Sequence, residues 1–293
     1  MKSFASLTRI SLPARLILSF GLALSTPALS TESGGTTPRP LPTITLGQDN
    51  NNTSNAVVQP TDPIQAGGGI DQSLQYGDIL NGLFPDDLMA GRLGCDLVQG
   101  GGGNDILLGG PEHGHPMNRD RVFGGNGGDI FIWSPGDGPD YFNGGPGRDF
   151  VMVGLLGEYN EDGQLVFEEW SNQHAGEMAV DTSTNLPMLD VFNSPVFCEV
   201  IEQSASPLYG AELEALGLTH LVQIYDRAMS ESFWGGVQGD DNGLRATLHV
   251  TGAEFLICAS RQGGGMEILD LTLSPPGFWN PRRLPDRVDL ILE

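Results

Sequence analysis

A regular alternation of acidic and apolar positions runs from residue 77 to residue 152. Aspartates recur every nine residues, except where two insertions lengthen the spacing. They stand at Asp78, Asp87, Asp96, Asp105, Asp120, Asp129, Asp140 and Asp149. Two positions after each aspartate stands an apolar residue: Leu80, Met89, Val98, Leu107, Val122, Phe131, Phe142 and Val151. Because side chains of a strand alternate between its faces, this pattern predicts short strands that each turn one apolar residue inward.

Glycine-rich turns precede three of the aspartates. They span residues 100–105, 124–129 and 144–149, and each begins with Gly-Gly and ends with Asp. Glycine adopts the positive φ angles that such a tight turn requires. The turn exposes backbone carbonyls, and the aspartate adds a carboxylate at its end. Because calcium takes six to eight oxygen ligands, stacked turns of this kind are candidate calcium sites.

The complete unit reads G-G-x-G-x-D-x-U-x, where U is apolar, and it resembles the hemolysin-type (RTX) calcium-binding repeats. The resemblance covers roughly a quarter of the chain. It implies an all-β fold with a short parallel β-roll of about four coils at residues 72–153, with two nonapeptides in each coil. It also implies Ca²⁺ as the bound ion.

Two repeats per coil would divide the aspartates into two stacks. Row A holds Asp78, Asp96, Asp120 and Asp140, and row B holds Asp87, Asp105, Asp129 and Asp149. All three complete turns belong to row B, whereas the row A turn at residues 91–96 lacks the second glycine. We therefore expect the better ion sites between the row B turns. The candidate metal ligands are Gly100, Gly102, Asn104, Asp105, Gly124, Asn126, Gly128, Asp129, Gly144, Pro146, Asp149, Asp87 and Asp96.

The residues that flank the row B U positions form a second apolar set, which we call the row B face. It consists of Leu88, Ala90, Ile106, Leu108, Ile130, Ile132, Phe150 and Met152. Soluble proteins rarely expose so large an apolar surface. We expect either intramolecular docking of the C-terminal region on this face or self-association with a second copy of the chain.

Charge and the N-terminal region suggest an exported protein. The formal net charge is −23, which disfavours nucleic acid and anionic membranes as partners and favours divalent cations. Residues 1–30 read as a Sec-type signal peptide, with an uncleaved anchor as the alternative. After removal of the signal no membrane span is expected. Residues 31–71 have the Thr-, Pro- and Asn-rich composition of a disordered linker. The expected location is secreted or extracellular, with the periplasm or the cell surface as alternatives.

Residues 154–293 predict a β-rich C-terminal domain of unknown family that caps the roll. A helix is expected at residues 211–216, and strands at 218–225, 244–250, 254–259 and 266–273. Cys198 and Cys258 are the candidate disulfide for an oxidising compartment, and two buried free thiols are the alternative. Capping would shield the exposed end of the roll.

The two insertions in the repeats offer little recognisable chemistry. His113 and His115 with Glu112 suit a transition metal, but the prolines and glycines around them favour a solvated loop. The second insertion, residues 134–140, reads either as a modified ion turn or as a wider bend.

No catalytic motif occurs in the chain. The H-E-x-x-H pattern of zinc proteases and the G-x-S-x-G pattern of lipases are both missing. The candidates for a catalytic pair of carboxylates are Glu168, Glu169, Asp190, Glu199 and Glu202. The leading interpretation is a non-catalytic, secreted calcium-binding protein with a structural or interaction role. The alternatives are a small extracellular hydrolase or polysaccharide-acting enzyme with its site in residues 154–293, and a cell-surface adhesin module.

Overall fold

The structure is a computed structural model of the full chain. It describes residues 42–46, 78–84, 86–92, 94–111, 119–160, 162–167, 178–203, 210–228, 243–280 and 284–292. The expected signal peptide, most of the expected linker and the loop that carries His113 and His115 lie outside these residues. Among the described helices, none is long and apolar enough to cross a membrane.

The fold is mostly β, with strands of the repeat region alternating between two parallel sheets. We name the sheets after the aspartate row that precedes their strands. The row A sheet contains β2 (Ile79–Asn81), β4 (Leu97–Gly102), β6 (Arg121–Asn126) and β8 (Tyr141–Asn143). The row B sheet contains β3 (Asp87–Ala90), β5 (Ile106–Leu108), β7 (Ile130–Trp133) and β9 (Phe150–Val153). Each pair of consecutive strands, such as β2 and β3, forms one coil.

The register of these strands follows the nonapeptide pattern. In the row A sheet Val98 pairs with Val122, and Val122 pairs in turn with Phe142, whereas in the row B sheet Leu107 pairs with Phe131. All eight U residues are buried in one hydrophobic cluster between the two sheets. The rings of Phe131 and Phe142 stack there with centroids 5.1 Å apart. The predicted inward orientation of the U positions is therefore confirmed.

The C-terminal region continues both sheets. In the row A sheet, β17 (Leu244–Thr251) pairs in parallel with β8, and β16 (His220–Asp226) and β15 (Val196–Glu202) follow it antiparallel. In the row B sheet, β18 (Phe255–Ala259) pairs in parallel with β9, followed by antiparallel β19 (Met266–Asp270) and β20 (Gly277–Phe278). Strands β17 and β18 thus occupy the place of a fifth coil.

The remaining elements surround this core. Strand β10 (Leu155–Tyr159) pairs with β11 (Leu165–Phe167) and with β14 (Leu189–Asp190), and β12 (Val180–Asp181) pairs with β13 (Leu186–Pro187). The helices in the described ranges are α1 (Gly210–Ala215) and α2 (Asp286–Leu292). The expected helix at 211–216 and the four expected C-terminal strands are present, with ends shifted by a few residues. Helix α2 was not expected from the sequence.

The row B face is buried inside the molecule. All of its eight residues are at most 2% exposed, and they pack with side chains of the C-terminal region such as Leu156, Leu189, Ile257, Val288 and Ile291. The sequence left open whether the C-terminal region or a second copy of the chain covers this face. In the structure the C-terminal region covers it. The outward side of the row B sheet is thus a second hydrophobic core.

The structure corrects the linker prediction at one place. Residues Thr43–Leu46 form strand β1, which pairs in parallel with β3 at the edge of the row B sheet. The sequence Thr-Ile-Thr-Leu is rich in β-branched residues, which favour strands. The Pro- and Asn-rich composition on either side concealed this short strand.

A disulfide links the two sheets in the C-terminal region. It joins Cys198 of β15, in the row A sheet, to Cys258 of β18, in the row B sheet. The predicted pairing is confirmed. Cys95 is the free cysteine, and its thiol donates to the carbonyl of Arg119.

Candidate metal centre

The row B aspartates form a continuous ladder of hydrogen bonds. The backbone N–H of Asp87 donates to Oδ1 of Asp105 at 2.8 Å, and Asp105 and Asp129 donate in the same way to the next aspartate in the row, at 2.8 and 2.7 Å. The ladder does not stop at the last repeat, because the N–H of Asp149 donates to Oε2 of Glu254 at 2.7 Å. Each carboxylate therefore uses one oxygen to fix the coil before it.

The second carboxylate oxygen of these aspartates has a different environment. Oδ2 of Asp105, Asp129 and Asp149 is buried and, among the described residues, has no hydrogen-bond partner. A buried acceptor without a partner is costly, and native proteins rarely keep one without a reason such as an ion. Within the described part of the chain, these oxygens are therefore candidate ligands of a cation.

Backbone carbonyls lie close to these oxygens. A Cβ atom placed on Gly124 would stand 2.3 Å from Oδ2 of Asp129 and 2.5 Å from the carbonyl oxygen of Gly144 in the next coil. The same holds at Gly82, Gly100 and Gly144, where the two oxygens lie 2.2–2.6 Å from that point. Glycine is required there because any side chain would displace a carboxylate and a carbonyl that face the same small space. Hard oxygens in this combination match the ligand preference of calcium.

Electrostatics oppose a fully ionised ladder. Neighbouring strands lie about 4.8 Å apart, and two unit charges at that distance repel by roughly 3 kcal/mol at an effective dielectric constant of about 20. Burial, with a smaller effect from neighbouring carboxylates, raises the pKa of Asp105 to about 6, of Asp129 to about 7 and of Asp149 to about 8. In the folded ladder these three carboxyl groups therefore keep their protons to a higher pH than an ordinary aspartate does.

Row A forms a similar ladder. The N–H groups of Asp78, Asp96 and Asp120 donate to Oδ1 of the next aspartate at 2.5, 2.6 and 2.9 Å. A Cβ on Gly91 would meet Oδ2 of Asp96 at 2.4 Å and the carbonyl of Gly109 at 2.5 Å. Burial raises the pKa of Asp96 well above its ordinary value. Row A is more regular than the sequence indicated.

The backbone of Arg92 explains how row A tolerates its missing glycine. Arg92 has φ of 76°, close to the values of 98°, 107° and 93° at Gly101, Gly125 and Gly145, which are the second glycines of the complete turns. Row A thus keeps the turn conformation with an arginine in place of glycine. The row ends at Asp140. In the next strand His249 pairs with Tyr141, so the residue beside Asp140 is Leu248, which is apolar and buried.

The other predicted ligands also lie in the stacked turns. The carbonyls of Asn126 and Pro146 accept hydrogen bonds from Gly103 and Gly127 in the preceding turns. Oδ1 of Asn104 accepts from the N–H of Gly128 at 2.7 Å. The ring of Phe84 lies over Gly102, where a Cβ would collide with it. A carbonyl oxygen has two lone pairs, so an accepted hydrogen bond leaves it able to bind an ion.

Sequence reasoning missed the two ends of row B. At one end Glu254 continues the ladder, and at the other Arg287 of α2 donates to Oδ2 of Asp86 at 2.7 Å. Arg287 also donates to the carbonyl of Asn104. Neither residue belongs to a repeat. The signal that could have revealed Glu254 is the Gly-x-Glu turn before a strand at residues 252–254.

The second insertion is a closed bend. Oδ2 of Asp137 accepts from the N–H of Ser134 at 2.9 Å, and the N–H of Asp137 donates back to the carbonyl of Ser134. Oδ1 of Asp137 is also buried and, among the described residues, has no hydrogen-bond partner, so the modified ion turn and the wider bend both stay predictions.

Side chains alone do not assemble a metal site in the described ranges. Within them, no three His, Cys, Asp or Glu side chains converge as a metal-binding group. An ion in the ladder would therefore take most of its ligands from backbone carbonyls. Of the candidate catalytic carboxylates, Asp190 binds Asn193, Glu199 binds Arg261 and Glu202 binds Ser274, whereas Glu168 and Glu169 lie outside the described residues.

Comparison with protein-family models, curated proteins and solved structures finds no match to this chain.

Proposed function

We propose that this chain is a secreted calcium-binding protein of the hemolysin-type (RTX) repeat class, with a structural or interaction role outside the cytoplasm. In this proposal the coils β2 to β9 are an RTX-type β-roll, and Ca²⁺ ions bind between its successive turns. The observation that carries the proposal is the row B ladder. In it, the buried Oδ2 atoms of Asp105, Asp129 and Asp149, which have no hydrogen-bond partner within the described ranges, face the same space as glycine carbonyls.

The residues present fit calcium on three grounds. The donors are hard carboxylate and carbonyl oxygens, which calcium prefers. A Cβ atom would fill the space between them, so the glycines keep that space free of side chains. The raised pKa values of Asp105, Asp129 and Asp149 mean that the folded ladder without a cation holds negative charge poorly at neutral pH. A divalent ion would neutralise neighbouring carboxylates in the way that protons do.

Calcium would then stabilise the folded state rather than take part in a catalysed reaction. In the unfolded chain the successive row B aspartates are 18 to 24 residues apart, as the ladder contacts of Asp87, Asp105 and Asp129 show. Because such a site does not exist before folding, the free energy of binding contributes to the free energy of folding. The protein would be less ordered where calcium is scarce and folded where it is plentiful.

Location outside the cytoplasm has independent support. The Cys198–Cys258 disulfide requires an oxidising compartment to persist. Free calcium is scarce in the cytoplasm and abundant outside it, so a calcium-dependent fold would form after export.

The test is a calcium titration of the chain from residue 31, starting in chelator and followed by far-UV circular dichroism. We expect a cooperative gain of β signal. A variant with Asp105, Asp129 and Asp149 all changed to Asn should lose it. The matched control changes the exposed Asp162, Asp181 and Glu214 to Asn, Asn and Gln, which removes the same charge outside the ladder. A wild-type protein that binds no calcium by calorimetry would refute the proposal.

A further inference from the structure

The turn between β17 and β18 repeats the geometry of the row B turns without their sequence. Phe255 pairs with Phe150 in parallel register, which places Glu254 beside Asp149. Thr251 pairs with Asn143, which places Gly252 beside Gly144. The C-terminal region therefore supplies a glycine and an acid at the two ladder positions of a fifth row B turn.

The oxygens at this turn are arranged as in the gaps between repeats. A Cβ on Gly144 would stand 2.4 Å from the carbonyl oxygen of Gly252 and 2.6 Å from Oδ2 of Asp149. At Gly100 and Gly124, between true repeats, the corresponding distances are 2.6 and 2.4 Å, and 2.5 and 2.3 Å. The side chain of Asp149 is fully buried, and its Oδ2 has no hydrogen-bond partner among the described residues. This oxygen therefore points to a ligand in the last gap.

Glutamate suits this turn because the turn is short. Three residues, Gly252 to Glu254, connect β17 and β18, whereas six residues connect β8 and β9. A shorter turn brings fewer carbonyls, and the extra methylene of glutamate lets its carboxylate reach the N–H of Asp149 at 2.7 Å. In row A the equivalent coil has no acid, since Leu248 stands there. The extension of the ladder is thus confined to row B.

We propose a calcium site between the last repeat turn and the C-terminal region, with Asp149, the carbonyl of Gly252 and Glu254 among its ligands. This inference rests on the proposed function and deepens it. The two acidic ligands, Asp149 and Glu254, are 105 residues apart in the sequence. Calcium at this site joins the C-terminal region to the repeats. Ion binding thereby controls the docking of β17 and β18 on β8 and β9.

The experiment uses the chain from residue 31 and compares wild type with Glu254→Gln. Glutamine keeps the size of the side chain and an oxygen that accepts from Asp149, but it removes the charge. Glu267→Gln on β19 is the matched control in the same region. Calorimetric titration with Ca²⁺ should give one fewer site for Glu254→Gln than for wild type or the control. Glu254→Asp should keep the number of sites, with affinity weakened about tenfold by its shorter reach.

Hydrogen exchange gives a second readout that does not depend on counting sites. Calcium should slow amide exchange in residues 252–259 of wild type at least tenfold, and this protection should be lost in Glu254→Gln. If wild type binds calcium and Glu254→Gln retains the same number of sites, affinity and protection, this inference is overturned while the proposed function stands. If wild type binds no calcium, the proposed function fails and the inference fails with it.

Discussion

Arg287 in the C-terminal helix donates a 2.7 Å hydrogen bond to Asp86 in the first coil of the repeats. Both side chains are only 11% exposed, and Arg287 also binds the carbonyl of Asn104 in the next turn. A cation from outside the repeats thus lies at the first row B turns. Its positive charge lowers the pKa of Asp105 and Asp129, whereas burial raises it.

This contact predicts a large loss of stability in Arg287→Met. Removing one partner of a buried ion pair leaves an uncompensated charge, which costs about 3–5 kcal/mol. We expect the free energy of unfolding, measured by urea denaturation in calcium, to fall by an amount in that range. Arg261→Met is the control, because Arg261 pairs with Glu199 at 2.8 Å but both side chains are about half exposed. Exposed pairs contribute at most about 1 kcal/mol, so equal losses in the two variants would contradict the prediction.

The ladder predicts that acid stabilises the protein in chelator. The folded pKa values of Asp105, Asp129 and Asp149 are raised from 3.8 to about 6, 7 and 8, so the folded state binds protons more tightly than the unfolded state. Proton binding therefore stabilises the folded state. This stabilisation is fully present below pH 3.8 and is lost as the pH rises through the pKa values of the folded state. In chelator, the β signal in far-UV circular dichroism and the urea needed to abolish it should therefore both be greater at pH 5 than at pH 8.

The same measurement in calcium should show the opposite trend, because the ion needs deprotonated carboxylates. The Asp105, Asp129 and Asp149 to Asn variant should have a flatter pH profile in chelator than wild type. A chelator-treated wild type that gains stability between pH 5 and pH 8 would argue against the ladder as the dominant titrating unit.

The sequence and the structure agree where the pattern is local. A U residue such as Phe131 faces inward because its position relative to Asp129 determines which side of a short strand it occupies. The period therefore predicts the strands, and the two nonapeptides per coil that the RTX resemblance implies add the two aspartate rows and the apolar row B face. Neighbouring coils are close in the chain, so pairings such as Leu107 with Phe131 follow from the repeat itself.

The parts that were not predicted depend on contacts between distant segments. Glu254 reaches Asp149 across 105 residues, and Arg287 reaches Asp86 across 201 residues. The Gly-x-Glu turn at residues 252–254 is a local signal for a turn, but it does not identify Asp149 as the partner, because the register of β18 against β9 determines that contact. Strand β1 was missed for the same reason, since its pairing with β3 crosses a segment of linker-like composition.

Gly124→Ala tests whether the space between turns is needed for calcium. The new methyl group would stand 2.3 Å from Oδ2 of Asp129 and 2.5 Å from the carbonyl of Gly144, so both oxygens must move. We expect at least tenfold weaker calcium binding by calorimetry, with a destabilisation of about 1–3 kcal/mol from overpacking. Gly163→Ala is the control, because its Cβ meets nothing within 4 Å, although its φ of 71° costs stability. Calcium affinity should therefore separate the two variants even where their stabilities are similar.

The disulfide provides a prediction that does not involve calcium ligands. Cys198 and Cys258 join the row A and row B sheets beyond the last repeat, and the bond closes a loop with a sequence separation of 60. Cross-links of this kind contribute about 2–4 kcal/mol, chiefly by restricting the unfolded chain. Changing both cysteines to Ala should lower the melting temperature in calcium, and reductant should lower it in wild type but not in the variant. Cys95→Ala, which removes the free thiol, should leave the response to reductant unchanged. If reductant destabilises the double variant as much as wild type, the bond does not connect the sheets in solution.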